Sequence, residues 1–195
     1  MGRIMLGIRI AVSFFWELIK VFLLAMAVIV PVRYFLVQPF FVRGASMEPN
    51  FTDGEYLVVD EISYRLREPR RSEVVVFQYP GNPVQFYIKR LVGLPGETVE
   101  IGQGRVLIKN DVYPQGVLLD ESQYLPGEMR TGGTLSITLG PDEYFVLGDN
   151  RPASSDSRSW GVLEGGAIVG RAWFRAFPVD RFGSIPLTRP GFLGV

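Results

Sequence analysis

The chain has no histidine and no cysteine in its 195 residues. The first absence rules out Ser-His and Cys-His catalytic pairs and the commonest ligand of zinc. The second rules out disulfides, thiolate nucleophiles and thiolate metal sites, and it says little about compartment. Lysine is scarce as well: only Lys20, Lys89 and Lys109 occur among 20 basic residues. The net charge is +0, so no long-range attraction to nucleic acid is expected. A carboxylate-only magnesium or calcium site is conceivable, but no calcium-loop pattern occurs. The expectation is no metal and no cofactor. A serine nucleophile in this chain would need a base other than imidazole, and an amine is the alternative.

Two short runs fit that chemistry. Gly44-Ala45-Ser46-Met47-Glu48-Pro49 offers a serine, and Tyr87-Ile88-Lys89-Arg90-Leu91 offers a lysine directly before an arginine. Guanidinium keeps its proton at ordinary pH, whereas a desolvated ammonium can lose it. A lysine in an arginine-rich chain is therefore what a general base requires. A plain strand lysine, its stem on apolar surface and its ammonium in water, satisfies the same residues. Alternation along a strand over 85–92 puts Tyr87, Lys89 and Leu91 on one face, which favours a neutral amine. Phe86, Ile88 and Arg90 take the other face. The third run spans Gly148 to Gly161 and follows the apolar strand Tyr144-Phe145-Val146-Leu147. It reads either as exposed turn chemistry or as a scaffold that holds an amine and braces itself with an Asp-Arg pair.

The front of the chain is different. Hydrophobic residues make up 47% of the whole and mean hydropathy is +0.18. The segment from Ile10 to Val42 is mostly apolar, and its uncharged part, Val21 to Val32, is shorter than the roughly 20 residues a bilayer needs. A span over 18–37 reaches that length if Lys20 and Arg33 snorkel to the interfaces. Pro31 would bend its outer part, and Trp16, Tyr34 and Phe35 suit interfacial positions. Pro31-Val32-Arg33-Tyr34 is unsuitable for signal cleavage, which leaves a buried core helix as the alternative. Arg3, Arg9 and Lys20 ahead of the apolar core favour an inside N-terminus.

Behind this segment come short β-branched runs separated by turns rich in the chain's 22 glycines and 14 prolines. They predict strands near 55–60, 73–79, 85–92, 97–101, 105–109, 134–139, 143–147 and 167–174. No alternating helical pattern supports parallel βαβ units. The expected fold is mainly β: twisted antiparallel sheets forming a barrel-like domain behind one N-terminal transmembrane helix. The expected organisation is a juxtamembrane segment over 1–17, the anchor over 18–37, a β-rich domain over 38–182 and a tail over 183–195. Residues 111–133 read as a surface excursion.

Together these runs resemble the bacterial type I signal peptidases, membrane-bound Ser-Lys endopeptidases that remove signal peptides from exported preproteins. The resemblance runs from the anchor to about Phe182. It rests on Gln38-Pro39-Phe40, Ser46-Met47-Glu48-Pro49, Arg71 to Phe77, Tyr87 to Glu97, Gly148 to Gly161 and Val169-Gly170-Arg171-Ala172, in that order. It implies Ser46 as the acylated nucleophile and Lys89 as the general base. Ser154 would orient the lysine, and Asp156 and Arg158 would form a structural ion pair with Asp149 in the same brace. Met47, Phe51, Tyr87 and Ile88 would line one shallow substrate pocket, and Phe40, Val42 and Ile88 the other. Signal peptides and membrane lipid are the implied partners, on the outer face of the cell membrane. The chain departs from one branch of that family at Gly44, where a serine hydroxyl would supply an oxyanion donor. Self-cleaving repressors share the Ser-Met-x-Pro logic but carry a DNA-binding helix-turn-helix in place of the anchor. A membrane-tethered scaffold explains the anchor and strands, but not the pairing of Ser46 with a lone lysine.

Overall fold

A computed structural model describes residues 2–35, 37–188 and 191–193, without the side chains of 2–8, 10, 11, 28, 31–35, 37 and 38. The chain divides into two compact units, 1–38 and 39–195. The first holds helix α1 (Gly2–Phe35), 34 residues long. Among the described residues no helix is long and apolar enough to cross a membrane. Glu17 and Lys20, paired at 2.7 Å, interrupt the apolar run. The places expected for Arg33, Tyr34 and Phe35 fall on side chains outside the described ones, and Leu36 lies outside them altogether.

The second unit is built on strands. In chain order they are β1 (Val37–Phe41), β2 (Tyr56–Asp60), β3 (Val74–Tyr79), β4 (Asn82–Gly93), β5 (Thr98–Gly102), β6 (Arg105–Lys109) and β7 (Val117–Asp120). They continue as β8 (Leu135–Thr138), β9 (Glu143–Leu147), β10 (Leu163–Glu164), β11 (Ile168–Phe177), β12 (Gly183–Ser184) and β13 (Gly191–Phe192). One sheet runs β1-β2-β11-β3-β4-β9-β10 with β12 against β11, and the other runs β13-β7-β6-β5-β8. The pairings resolved between them are antiparallel.

Why these residues take these places is legible locally. Val74-Val75-Val76-Phe77 does not alternate because β3 lies between β11 and β4 and is buried on both faces. Strands β5 and β6 do alternate. Val99, Ile101, Val106 and Ile108 point into a core shared with Leu119, Phe145 and Leu147, while the residues between them face outward.

Two expectations need correction. Neither sheet closes on itself, so the unit is a pair of open sheets rather than a barrel. The first sheet ends at β1 and β10, and within it β4 pairs with β3 between Asn82 and Arg90 but with β9 only over Arg90–Gly93. Residues 83–89 thus keep a free edge. The stretch 111–133 is also more than a surface excursion: it contributes β7, and Val117, Leu119, Tyr124 and Leu125 are buried. Only four residues alternate there between turns, too short a run to stand out in sequence.

Candidate active site

Ser46 stands in a turn between β1 and β2, reached through Gly44, whose φ of +84° suits a residue without Cβ. The Gly44 N–H donates to Asp53 Oδ1 at 2.6 Å, and Phe51 N–H closes the turn on Met47 O at 2.9 Å. Lys89 projects from β4 so that its Nζ lies 2.8 Å from Ser46 Oγ and 2.9 Å from Ile88 O. The two residues are 43 positions apart in sequence and meet because β4 runs past the turn.

The amine is in a dry place. Lys89 is 4% exposed, and its Nζ lies 5.2 Å from the centroid of the Tyr87 ring. Tyr87 is itself stacked on Tyr79 at 4.5 Å. Burial drives the Lys89 pKa down to about 8, against the opposing pull of the Asp156 and Asp149 carboxylates.

Loop 148–161 closes the site from the other side. The backbone N–H of Asn150 donates to Ser46 O, and its side-chain amide donates to Ala45 O, both at 3.0 Å. Gly148 has no room for a side chain: a Cβ there would strike Ser154 Oγ and come within 2.5 Å of Ser46 O. Asp156 is fully buried and receives Arg158 through Nε and Nη2, each at 2.8 Å, and Gly148 N–H at 3.0 Å. Burial alone would raise its pKa, but the Arg158 hydrogen bond, the Gly148 N–H, the Arg158 charge and the nearby Ser154 together hold it below the usual value.

Asp149 belongs to a different brace from the one expected. Its partner is Arg90, bound through Nε at 2.8 Å and Nη2 at 2.6 Å, with Asn50 Nδ2 adding a third bond at 2.8 Å. Arg90 in turn lies 4.1 Å from the Tyr124 ring centroid and donates to Ser72 O. Consecutive side chains of β4 thus serve two purposes, Lys89 beside the serine and Arg90 locking the loop behind it. Ser154 Oγ is buried without a hydrogen bond of normal geometry, and none joins it to Lys89.

A groove of about 620 Å³ leads to the Ser46–Lys89 pair. Its walls are Phe40, Phe41, Val42 and Arg43 on one side and Gln85 to Lys89 on the other, with Leu57, Val76 and Ser155. Phe40 and Phe86 meet across it with ring centroids 5.4 Å apart. Met47 and Phe51 do not line it. They are buried behind it with Val42, Leu57 and Val74. Sequence reasoning assigned no role to Asn50, Asn150 or Phe86. Asn150 lies inside the Gly148–Gly161 run, but only the fold reveals which carbonyls it holds.

The profile of the family described as "Signal peptidase, peptidase S26" matches residues 15–177. The chain belongs to the signal peptidase I family. The peptidase is 36% identical over 173 residues to a probable signal peptidase I-2 of Synechocystis sp. (strain ATCC 27184 / PCC 6803 / Kazusa), covering 86% of this chain and 75% of that one. It is 36% identical over 175 residues to a signal peptidase I of Bacillus amyloliquefaciens, covering 84% and 86%. A crystal structure of a signal peptidase I from Enterococcus faecalis V583 aligns with a TM-score of 0.44 and 32% identity, over 54% of this chain and 97% of that one. The peptidase is a serine endopeptidase that cleaves signal peptides, of a family generally membrane-bound. That activity sets aside the non-enzymatic scaffold.

Proposed function

We propose that this signal peptidase works by a Ser46–Lys89 dyad through an acyl-enzyme. The observation that carries the reading is the 2.8 Å separation of Lys89 Nζ and Ser46 Oγ at the end of a groove, in a chain without histidine. Neutral Lys89 takes the proton of Ser46 as Oγ attacks the scissile carbonyl. The C–N bond then breaks, the proton passes to the leaving amine of the mature protein, and the signal peptide remains as an ester on Ser46. Lys89 next takes a proton from water, whose oxygen attacks the ester carbonyl; the C–Oγ bond breaks, Lys89 returns the proton to Ser46 Oγ, and the signal peptide departs as a carboxylic acid that ionises in water.

The Ser46 N–H has no hydrogen-bond partner among the described residues, which suits it to hold the oxyanion. Gly44 offers no hydroxyl, so the second donor must be a backbone amide, a water or the substrate. The signal peptide lies extended along the free edge of β4, in the manner of an added strand. Phe40, Val42, Tyr87 and Ile88 take its small side chains, with Met47 and Phe51 backing the pocket. Asp156–Arg158 and Asp149–Arg90 hold the loop, and Ser154 packs it against Gly148.

In this reading the segment 18–37, part of whose side chains lie outside the described ones, anchors the peptidase in the membrane, with the N-terminus inside and the β-rich unit on the outer face. Phe14, Phe15, Val21, Phe22, Leu23 and Leu24 are each more than half exposed, so the helix is apolar on every side, which suits lipid. The Glu17–Lys20 pair lowers the cost of its two charges.

The test is cleavage of a preprotein by purified variants. Ser46→Ala and Lys89→Arg should each lose at least about 1,000-fold in turnover, the second because guanidinium cannot act as a base. Substantial processing by Ser46→Ala would overturn the nucleophile, and substantial processing by Lys89→Arg would overturn the base.

A further inference from the structure

The five-stranded sheet has a hollow of its own, about 960 Å³, that shares no lining residue with the active-site groove. It lies chiefly on the outward side of the sheet, opposite the face of β5 and β6 that packs into the core. Leu107 and Leu118 form a half-buried apolar floor. Arg105 and Arg130 stand at its rim, both exposed. Strand β8, at one side, is the edge of its sheet.

The charges of this hollow are unbalanced. Glu100, its acid, is taken up by Lys109 at 2.7 Å and by Ser136 Oγ at 3.4 Å. Arg130 donates only to the backbone carbonyls of Gly127 and Met129, and its stem lies over Gly104. Among the described residues neither Arg105 nor Arg130 has a carboxylate partner. Two guanidiniums over an apolar floor beside an open strand edge fit an extended peptide that carries carboxylates. A concave surface of this kind is poorly shaped for a bilayer.

The hollow is also tied to the catalytic loop. Thr131, next to Arg130, accepts a hydrogen bond from Arg151, which is buried and also holds Glu121 and Gly148 O. Gly148 packs directly against Ser46 O. Whatever orders the 127–131 loop therefore acts on the support of the nucleophile turn.

We propose that this hollow is an exosite for an acidic segment of the mature part of the preprotein, engaged while the signal peptide occupies the active-site groove. The inference rests on signal-peptide cleavage and is independent of the Ser46–Lys89 assignment. Carboxylates of the segment pair with Arg105 and Arg130, and its apolar side chains lie on Leu107 and Leu118.

The experiment uses the full-length peptidase in neutral-lipid nanodiscs and one preprotein in three forms. The forms share a signal peptide and carry a glutamate cluster, a serine cluster or a lysine cluster, placed about 10 to 30 residues after the cut, where an extended chain reaches up to roughly 3.3 Å per residue. Arg105→Glu/Arg130→Glu and the single Arg105→Glu variant are compared with the parent, and melting temperature is recorded for each. The parent should favour the glutamate form over the serine form about tenfold in kcat/KM, the gain of two surface Arg–carboxylate pairs. The double variant should lose that preference and favour the lysine form, while Arg105→Glu, which leaves the 127–131 loop untouched, should weaken the preference and leave cleavage of a short peptide spanning the cut unchanged. Equal rates on the three forms by the parent would overturn the exosite. So would an equal loss on the short peptide, which would assign the arginines a structural role. A charge preference that appears only when anionic lipid is added would assign the surface to the membrane instead. Loss of all cleavage in Ser46→Ala, with the preference intact in the parent, separates this inference from the dyad.

Discussion

The side chain of Lys89 is amphipathic, and its amine is buried beside Tyr87 with a pKa lowered to about 8. As a base it must be neutral, so turnover should rise with pH through a limb near 8. No imidazole exists in this chain to produce a limb there. The rate–pH profile of the purified enzyme checks this, and a limb near 6.5 would contradict it. The same burial costs stability. Below pH 8 the amine is charged in both folded and unfolded chains, and the folded one bears the full cost of desolvation. Between pH 8 and 10.5 the folded amine is already neutral, so the cost shrinks, and above that range it vanishes. Lys89→Met should therefore abolish activity yet stabilise the protein at pH 7 by up to a few kcal/mol, on the order of 3. The gain should fade in denaturation curves taken at pH 10 and above.

At the scale of elements, the site depends on β4 and on the loop after β9. Strand β4 orients Lys89 and Arg90 in opposite senses, one to the serine and one to Asp149. The loop is held at Asp156, whose carboxylate stays charged well below the ordinary range, so its contribution is present at neutral pH and lost only in acid. Asp156→Asn would leave Arg158 without its counter-charge and weaken the Gly148 contact. The expected loss is roughly 3 kcal/mol, or about 10 °C in melting temperature, accompanied by lower turnover. Thermal denaturation checks the first part, and an unchanged melting temperature would count against the brace.

For the whole molecule, the β-rich unit contains every residue assigned to chemistry, and helix α1 contains none. Removing residues 1–36 should leave a folded unit, with β1 intact, whose kcat/KM on a short soluble peptide stays within about threefold of the parent. Processing of a membrane-embedded preprotein should fall at least about tenfold, because the shared membrane no longer concentrates enzyme and substrate. Kinetics on both substrates check this, and equal losses would refute the role given to the membrane.

The sequence by itself determined the chemistry that was possible. Without histidine or cysteine, a serine could draw only on an amine, and a lone lysine before Arg90 marked where to look. It also determined most strands, because β-branched runs between glycine and proline turns have few other ways to fold. Strand β7 escaped because four alternating residues carry too weak a periodic signal. What tertiary structure decided was pairing across distance. Asp149 lies seven residues from Asp156 in sequence, yet it binds Arg90, because the loop turns between them and delivers each carboxylate to a different guanidinium. The open form of the sheets was equally unreadable. Whether β4 keeps β9 beside it for four residues or for twelve depends on bulges and packing that no local pattern records, and that choice leaves free the edge on which the groove is built.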